Sequence, residues 1–82
     1  MLPVIMDIRV NLILCKLAVN DRTVICTLRK YVNQSRQLDY PDFTDAQKDA
    51  VCSHLESALY FAEVWDVPCA EMELMKCRIA MV

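Results

Sequence analysis

Glycine is absent from the 82 residues, histidine occurs once, at His54, and no two cysteines form a CxxC pair. Each gap removes chemistry. A phosphate-cradling loop, a dinucleotide fingerprint and a nucleophile elbow all need backbone at positive φ or pressed against a ligand, the places glycine serves. A single imidazole leaves little for acid–base catalysis or for a histidine-rich zinc site. Long hydrophobic runs are missing too. Charge-free stretches such as 10–15 and 57–62 stop at six residues, where a spanning helix needs about 20. Residues 1–15 mimic a signal peptide, but Asp7 and Arg9 cut the run and no basic segment precedes it. Residues 12–15 resemble a lipoprotein cleavage box, yet Leu14 stands where a small residue is needed. Export is therefore not expected, and the expected location is the cytoplasm.

An excess of positive charge is also lacking. Nine Lys and Arg against eleven Asp and Glu leave a net charge of −2, which gives no global attraction to nucleic acid or to an anionic membrane. What the chain does have is apolar residues, 56% of it, above the usual share. So small a domain cannot shelter that much apolar surface, because its ratio of surface to volume is high. The surplus is expected to cover a partner, most simply a second copy in a symmetric homodimer. The five cysteines are odd in number and lie among apolar residues. This is the setting of reduced thiols acting as small hydrophobes rather than of a disulfide framework.

No internal repeat, low-complexity tract or linker is visible, and one domain over 1–82 is expected. Proline disfavours helix in the residue before it, so Pro41 and Pro68 place breaks near 40 and 67, at Tyr40 and Val67. Over 44–65, Thr44 and Gln47 form a capping-box pattern, with Asp45 suited to the positive helix end. Val51, Leu55, Ala58, Leu59 and Ala62 gather on one side of that helix. Over 21–38, Asn20 or Asp21 can cap a helix in which Val24, Ile25, Leu28, Tyr31, Val32 and Leu38 recur at helical spacing. Residues 4–19 carry two patterns. Ile8, Val10, Leu12 and Leu14 alternate as in a strand, while Val10, Ile13, Leu14 and Leu17 make a helical stripe, and the alternation fails at Ile13. Residues 69–81 are rich in helix formers, with Met72, Met75, Ile79 and Val82 on one side. The expected architecture is all-α, a small domain of three to four helices. The alternative is α+β, with strands at 4–19 and 70–82 packed on the 45–65 helix.

Candidate chemistry is sparse. Cys52 and His54 point about 160° apart on a helix, so they cannot grip one metal ion together. His54 is turned away from Cys52 and could meet Cys15 or Cys26 only across helices, which nothing in the sequence indicates, so an enzyme is not expected and neither is a cofactor or metal. Arg22, Arg29 and Arg36 run down one side of the second helix with Cys26 between them. Neighbouring cations favour thiolate, which makes Cys26 a candidate reactive thiol. With Lys30 the same arginines form a candidate nucleic-acid face, but the following helix carries Asp45, Asp49, Glu56 and Glu63, which phosphates repel. Pairing of the basic and acidic stripes within a hairpin, between subunits or with a target is the more economical use of both.

Ala46, Ala50, Ser53, Ser57, Tyr60 and Val64 form a heptad-like seam opposite the main stripe of the 44–65 helix. Small residues there admit another helix, and Tyr60 and Val64 add bulk at one end. The expected function is a small non-enzymatic protein–protein interaction module, a regulator or inhibitor that binds a protein target through helix faces. Compact accessory proteins of phages and mobile elements are of this style. The expected interface residues are Ser53, Ser57, Tyr60, Val64, Asp49, Glu56 and Glu63. The alternative is a nucleic-acid-associated regulator using Arg22, Arg29, Lys30 and Arg36.

Overall fold

The computed structural model describes residues 4–37 and 43–82, with side chains from Met6 onward in the first segment. These residues form four α-helices: α1 Val4–Ala18, α2 Val24–Ser35, α3 Asp45–Glu63 and α4 Val67–Ala80. There is no strand among the described residues, so the all-α expectation holds and the α+β alternative does not. Residues 4–18 choose the 3.6-residue period because Met6, Val10, Ile13 and Leu17 are all buried on one face. Ile8 and Leu12, which a strand would have placed inward, are exposed. Residues 70–80 are helical as well.

The same spacing builds the rest of the core. Successive buried residues are four, three and four apart on α1, on α3 at Val51, Leu55, Ala58 and Ala62, and on α4 at Ala70, Leu74, Cys77 and Met81. On α2, Val24, Leu28 and Ser35 are buried and Tyr31 packs against the core from the matching place. Ser35, the polar member, satisfies itself by donating from Oγ to the carbonyl of Val32 at 2.8 Å. A constant shift carries the α1 set onto the α3 set, and a shift one residue longer carries the α2 set onto the α4 set. The molecule is thus two helical hairpins of one design, a repetition of geometry that the letters do not show.

Cross-helix contacts give the topology. Lys16 Nζ meets Thr23 Oγ1 and the Arg9 guanidinium lies 5.0 Å from the centre of the Tyr31 ring, so α1 and α2 run antiparallel. Arg29 reaches Glu63 and Arg36 reaches Glu56, so α2 and α3 are antiparallel. His54 meets Glu73, and the Cys77 thiol donates to the Val51 carbonyl, so α3 and α4 are antiparallel. With α1 packed on α4, the chain closes an up-down-up-down four-helix bundle of 34 × 19 × 17 Å. The most extensive packing joins α3 and α4, where Ala58, Ala62 and Ala70 are fully buried and let the backbones approach.

Helix ends are set by local chemistry. At α3 the capping box forms in full: Gln47 N–H donates to Thr44 Oγ1, and Thr44 N–H donates to Gln47 Oε1. The helix expected from residue 21 starts later, at Val24, because Asp21 Oδ1 takes the N–H and hydroxyl of Thr23 into a turn. Leu38 and Tyr40 lie outside the described residues. Val67 opens α4 rather than breaking it, since Asp66 caps the helix and Pro68 sits in the first turn, where no N–H is needed. Absence of glycine does not keep the backbone out of the left-handed region. Asn20 (φ 56°) and Trp65 (φ 55°) enter it after α1 and α3. In both places the next N–H reaches back to close the helix, Asp21 to Lys16 and Asp66 to Phe61.

Candidate functional site

The α3 seam lies on the outside of the bundle. Ala46, Ser53, Tyr60 and Val64 are exposed, and Ala50 and Ser57 are half-buried. Tyr60 keeps 63% of its surface and Val64 58%, so neither α1 nor any other described element covers them. Tyr60 meets Phe61 edge-on, with ring centres 5.4 Å apart. Next to this end of the seam, the Arg22 guanidinium lies 4.5 Å from the centre of the Trp65 ring, a distance at which the ring face attracts the cation.

The acidic residues named beside that seam divide. Asp49 is exposed. Glu56 accepts from Arg36 at 2.7 Å, and Glu63 lies 3.9 Å from Arg29, both within this chain. The Arg36–Glu56 pair holds the Arg36 guanidinium above its ordinary range. The charge stripes therefore meet across α2 and α3, which is the pairing within the fold that their spacing allowed. The cost falls on the basic face: Arg29 and Arg36 are engaged with carboxylates and Arg22 with Trp65, while Lys30 is exposed. Cys26 is exposed between these cations, but the arginines on either side point their charge elsewhere.

His54 is half-buried on α3. It bridges to α4, with Nδ1 2.9 Å from Glu73 Oε2, and Lys76 Nζ stands 3.5 Å from the other oxygen. The hydrogen bond from His54 is the main reason the Glu73 carboxyl lies below its usual range; burial opposes it and Lys76 assists. Cys52 and Cys77 are buried. Burial, with Cys52 nearby, pushes the Cys77 thiol up to about 12, and the Asp66 carboxylate raises that of Cys69. Both thiols are thereby poorer nucleophiles than a free cysteine. Among the described residues no three His, Cys, Asp or Glu side chains converge to hold a metal ion. No helix of the structure is long and apolar enough to cross a membrane.

Sequence reasoning missed one surface. Met72, Met75, Ile79 and Val82 do share a side of α4, but that side is exposed, and the core takes the opposite one. Ile8 and Leu12 are exposed on α1, and Val19 in the turn that follows it. The signal was present in the sequence as two apolar stripes on α4, of which the one with the smaller residues faces inward.

Compared with protein-family models, with curated proteins and with solved structures, the chain matches none.

Proposed function

We propose that this protein is a small non-enzymatic interaction module, a cytoplasmic regulator or inhibitor that captures a protein target on the outer face of α3. The observation that supports this most is the uncovered seam. Small side chains at Ala46, Ala50, Ser53 and Ser57 leave a track on which a target helix can lie close, and the track ends at exposed Tyr60 and Val64. Tyrosine is enriched among the residues that anchor binding energy in protein contacts. Asp49 lies beside the track and is the acidic residue left to meet a basic residue on the target, since Glu56 and Glu63 already have partners. The nucleic-acid alternative has less support, because Arg22, Arg29 and Arg36 spend their charge within the fold.

The test is affinity capture from the cell of origin with wild type, Ser57→Arg and Tyr60→Ala, each first shown to be folded by circular dichroism. The expected result is a protein partner retained by wild type and lost by both variants. A folded Ser57→Arg protein that keeps its partners refutes the reading. Loss that instead follows Arg29→Ala and Arg36→Ala, with steep salt dependence, transfers support to nucleic acid.

A further inference from the structure

The second uncovered surface lies on the other side of the bundle, along α1 and α4, and it does not depend on the target-binding reading of α3. Asp7 Oδ1 and Arg78 Nε stand 3.7 Å apart across these helices and mark where they meet. The next residue on each helix is turned about 100° outward from that pair. Those residues are Ile8, 59% exposed, and Ile79, 71% exposed. Met72 and Met75 extend the surface on α4, and Leu12, Cys15 and Ala18 extend it on α1, all exposed. At their fractional exposures these side chains present on the order of 700 Å² of largely apolar surface, more than the ~300–600 Å² of a typical monomer's largest patch and close to the ~800 Å² that each partner buries in a stable interface.

We infer that this α1/α4 face is closed by a second copy of the same chain, in a two-fold dimer that buries Ile8, Met72, Met75 and Ile79. Three observations select that occupant. The area is that of a stable protein interface. The charge is self-compatible: Asp7 and Arg78 neutralise each other, and Lys76 at the edge pairs with Glu73. A two-fold contact lays a face on itself, so a face of one sign would repel its own copy. Finally, Met72, Met75, Ile79 and Val82 are spaced three, four and three, the seam that another helix fills by knobs into holes. A lipid surface suits the face less well, because Lys16 of α1 and Lys76 of α4 are paired with Asp21 and Glu73 and the net charge is −2.

Sedimentation equilibrium of the full chain under reducing conditions, at micromolar concentration, tests the inference. Wild type is expected at twice the chain mass. Ile79→Asp and, independently, Met75→Lys are expected to remain helical and to weaken association by about 100-fold or more, since each would bury an unpaired charge. A wild-type monomer overturns the inference, as does co-sedimentation with phosphatidylcholine vesicles in place of self-association. A dimer split by Ser57→Arg but not by Ile79→Asp also overturns it and moves the interface to α3. Failure of the dimer leaves target capture on α3 readable in the same proteins, because Ile79 is not part of that seam.

Discussion

The two seams where the hairpins meet, α2 against α3 and α1 against α4, are built on one frame and finished in opposite ways. Arg29 follows buried Leu28 as Met75 follows buried Leu74, and Glu63 follows buried Ala62 as Ala18 follows buried Leu17. One seam thus carries the pairs Arg29–Glu63 and Arg36–Glu56 on its outside. The matching places on the other seam carry Met75 with Ala18 and Val82 with Asn11. The cores are interchangeable in spacing, so the difference lies in what each side is prepared to meet. The α2/α3 side is finished for water, and the α1/α4 side keeps apolar surface that water covers at a cost of ~25 cal/mol per Å².

The most severe way to break that comparison is to transplant the finish. Met75→Arg with Ala18→Glu is expected to place an ion pair over the α1/α4 seam, leave the helices intact and lower self-association by roughly 100-fold or more. The reverse exchange, Arg29→Met with Glu63→Ala, is expected to create a second apolar side and assemblies larger than a dimer in sedimentation velocity. If the transplanted protein associates like wild type, the apolar finish has no bearing on assembly.

A second test asks whether the shared frame carries equal load. Leu28→Ala and Leu74→Ala remove equivalent, fully buried side chains, and each is expected to cost about 2–5 kcal/mol in urea denaturation. The larger loss is expected at Leu74. One turn away on its own helix Leu74 has Ala70 and Cys77, where Leu28 has Val24 and Tyr31, so less side chain is at hand to collapse into the cavity. Equal losses would mean that backbone movement fills the space in both hairpins.

These small residues also explain what the sequence hid. The α3 helix was legible because Thr44 and Gln47 announce its start and only one of its faces holds Leu55 and Val51. On α1 the stripe of Val10, Ile13 and Leu17 was visible, but Ile8 and Leu12 set a strand's alternation beside it. On α4 both faces are apolar, and bulk is a poor guide to which one goes inward. Ala70 and Cys77, the smaller residues, go inward, Cys77 against the backbone of Val51, so Met72 and Ile79 are left outside. The candidate seam at Ser53, Ser57, Tyr60 and Val64 was readable from spacing alone. That Glu56 and Glu63 are held by arginines of α2 was not, since one-dimensional spacing does not say which stripe a neighbouring helix meets.

The turns offer a smaller contrast. Asn20 and Trp65 hold equivalent left-handed positions, but asparagine tolerates that conformation and a bulky residue is strained there by about 1–2 kcal/mol. Trp65 compensates by packing against the core and beneath Arg22. Asn20→Gly is expected to change stability by only a few tenths of a kcal/mol. Trp65→Gly is expected to lose about 1 kcal/mol despite relief of strain, because burial of a large side chain contributes more. A gain in thermal midpoint for Trp65→Gly would show that the ring contributes less than its backbone costs.

The smallest expected effect separates the hairpins by pH. Within the second hairpin, His54 and Lys76 converge on Glu73 and hold its carboxyl below the ordinary range. The first hairpin has Arg9 stacked on Tyr31 in the place of His54, with no carboxylate opposite. A carboxyl whose folded value lies below its unfolded one adds stability above the unfolded value of ~4.3 and loses it as pH falls through the folded value. Denaturation midpoints of wild type should therefore fall on acidification through the carboxylate range, and Glu73→Gln should flatten part of that fall while lowering stability near neutrality. Arg9→Ala should leave the slope unchanged, because it removes no titrating partner of Glu73. If both variants keep the wild-type slope, the acid sensitivity belongs to other carboxylates and the bridge between α3 and α4 contributes nothing to it.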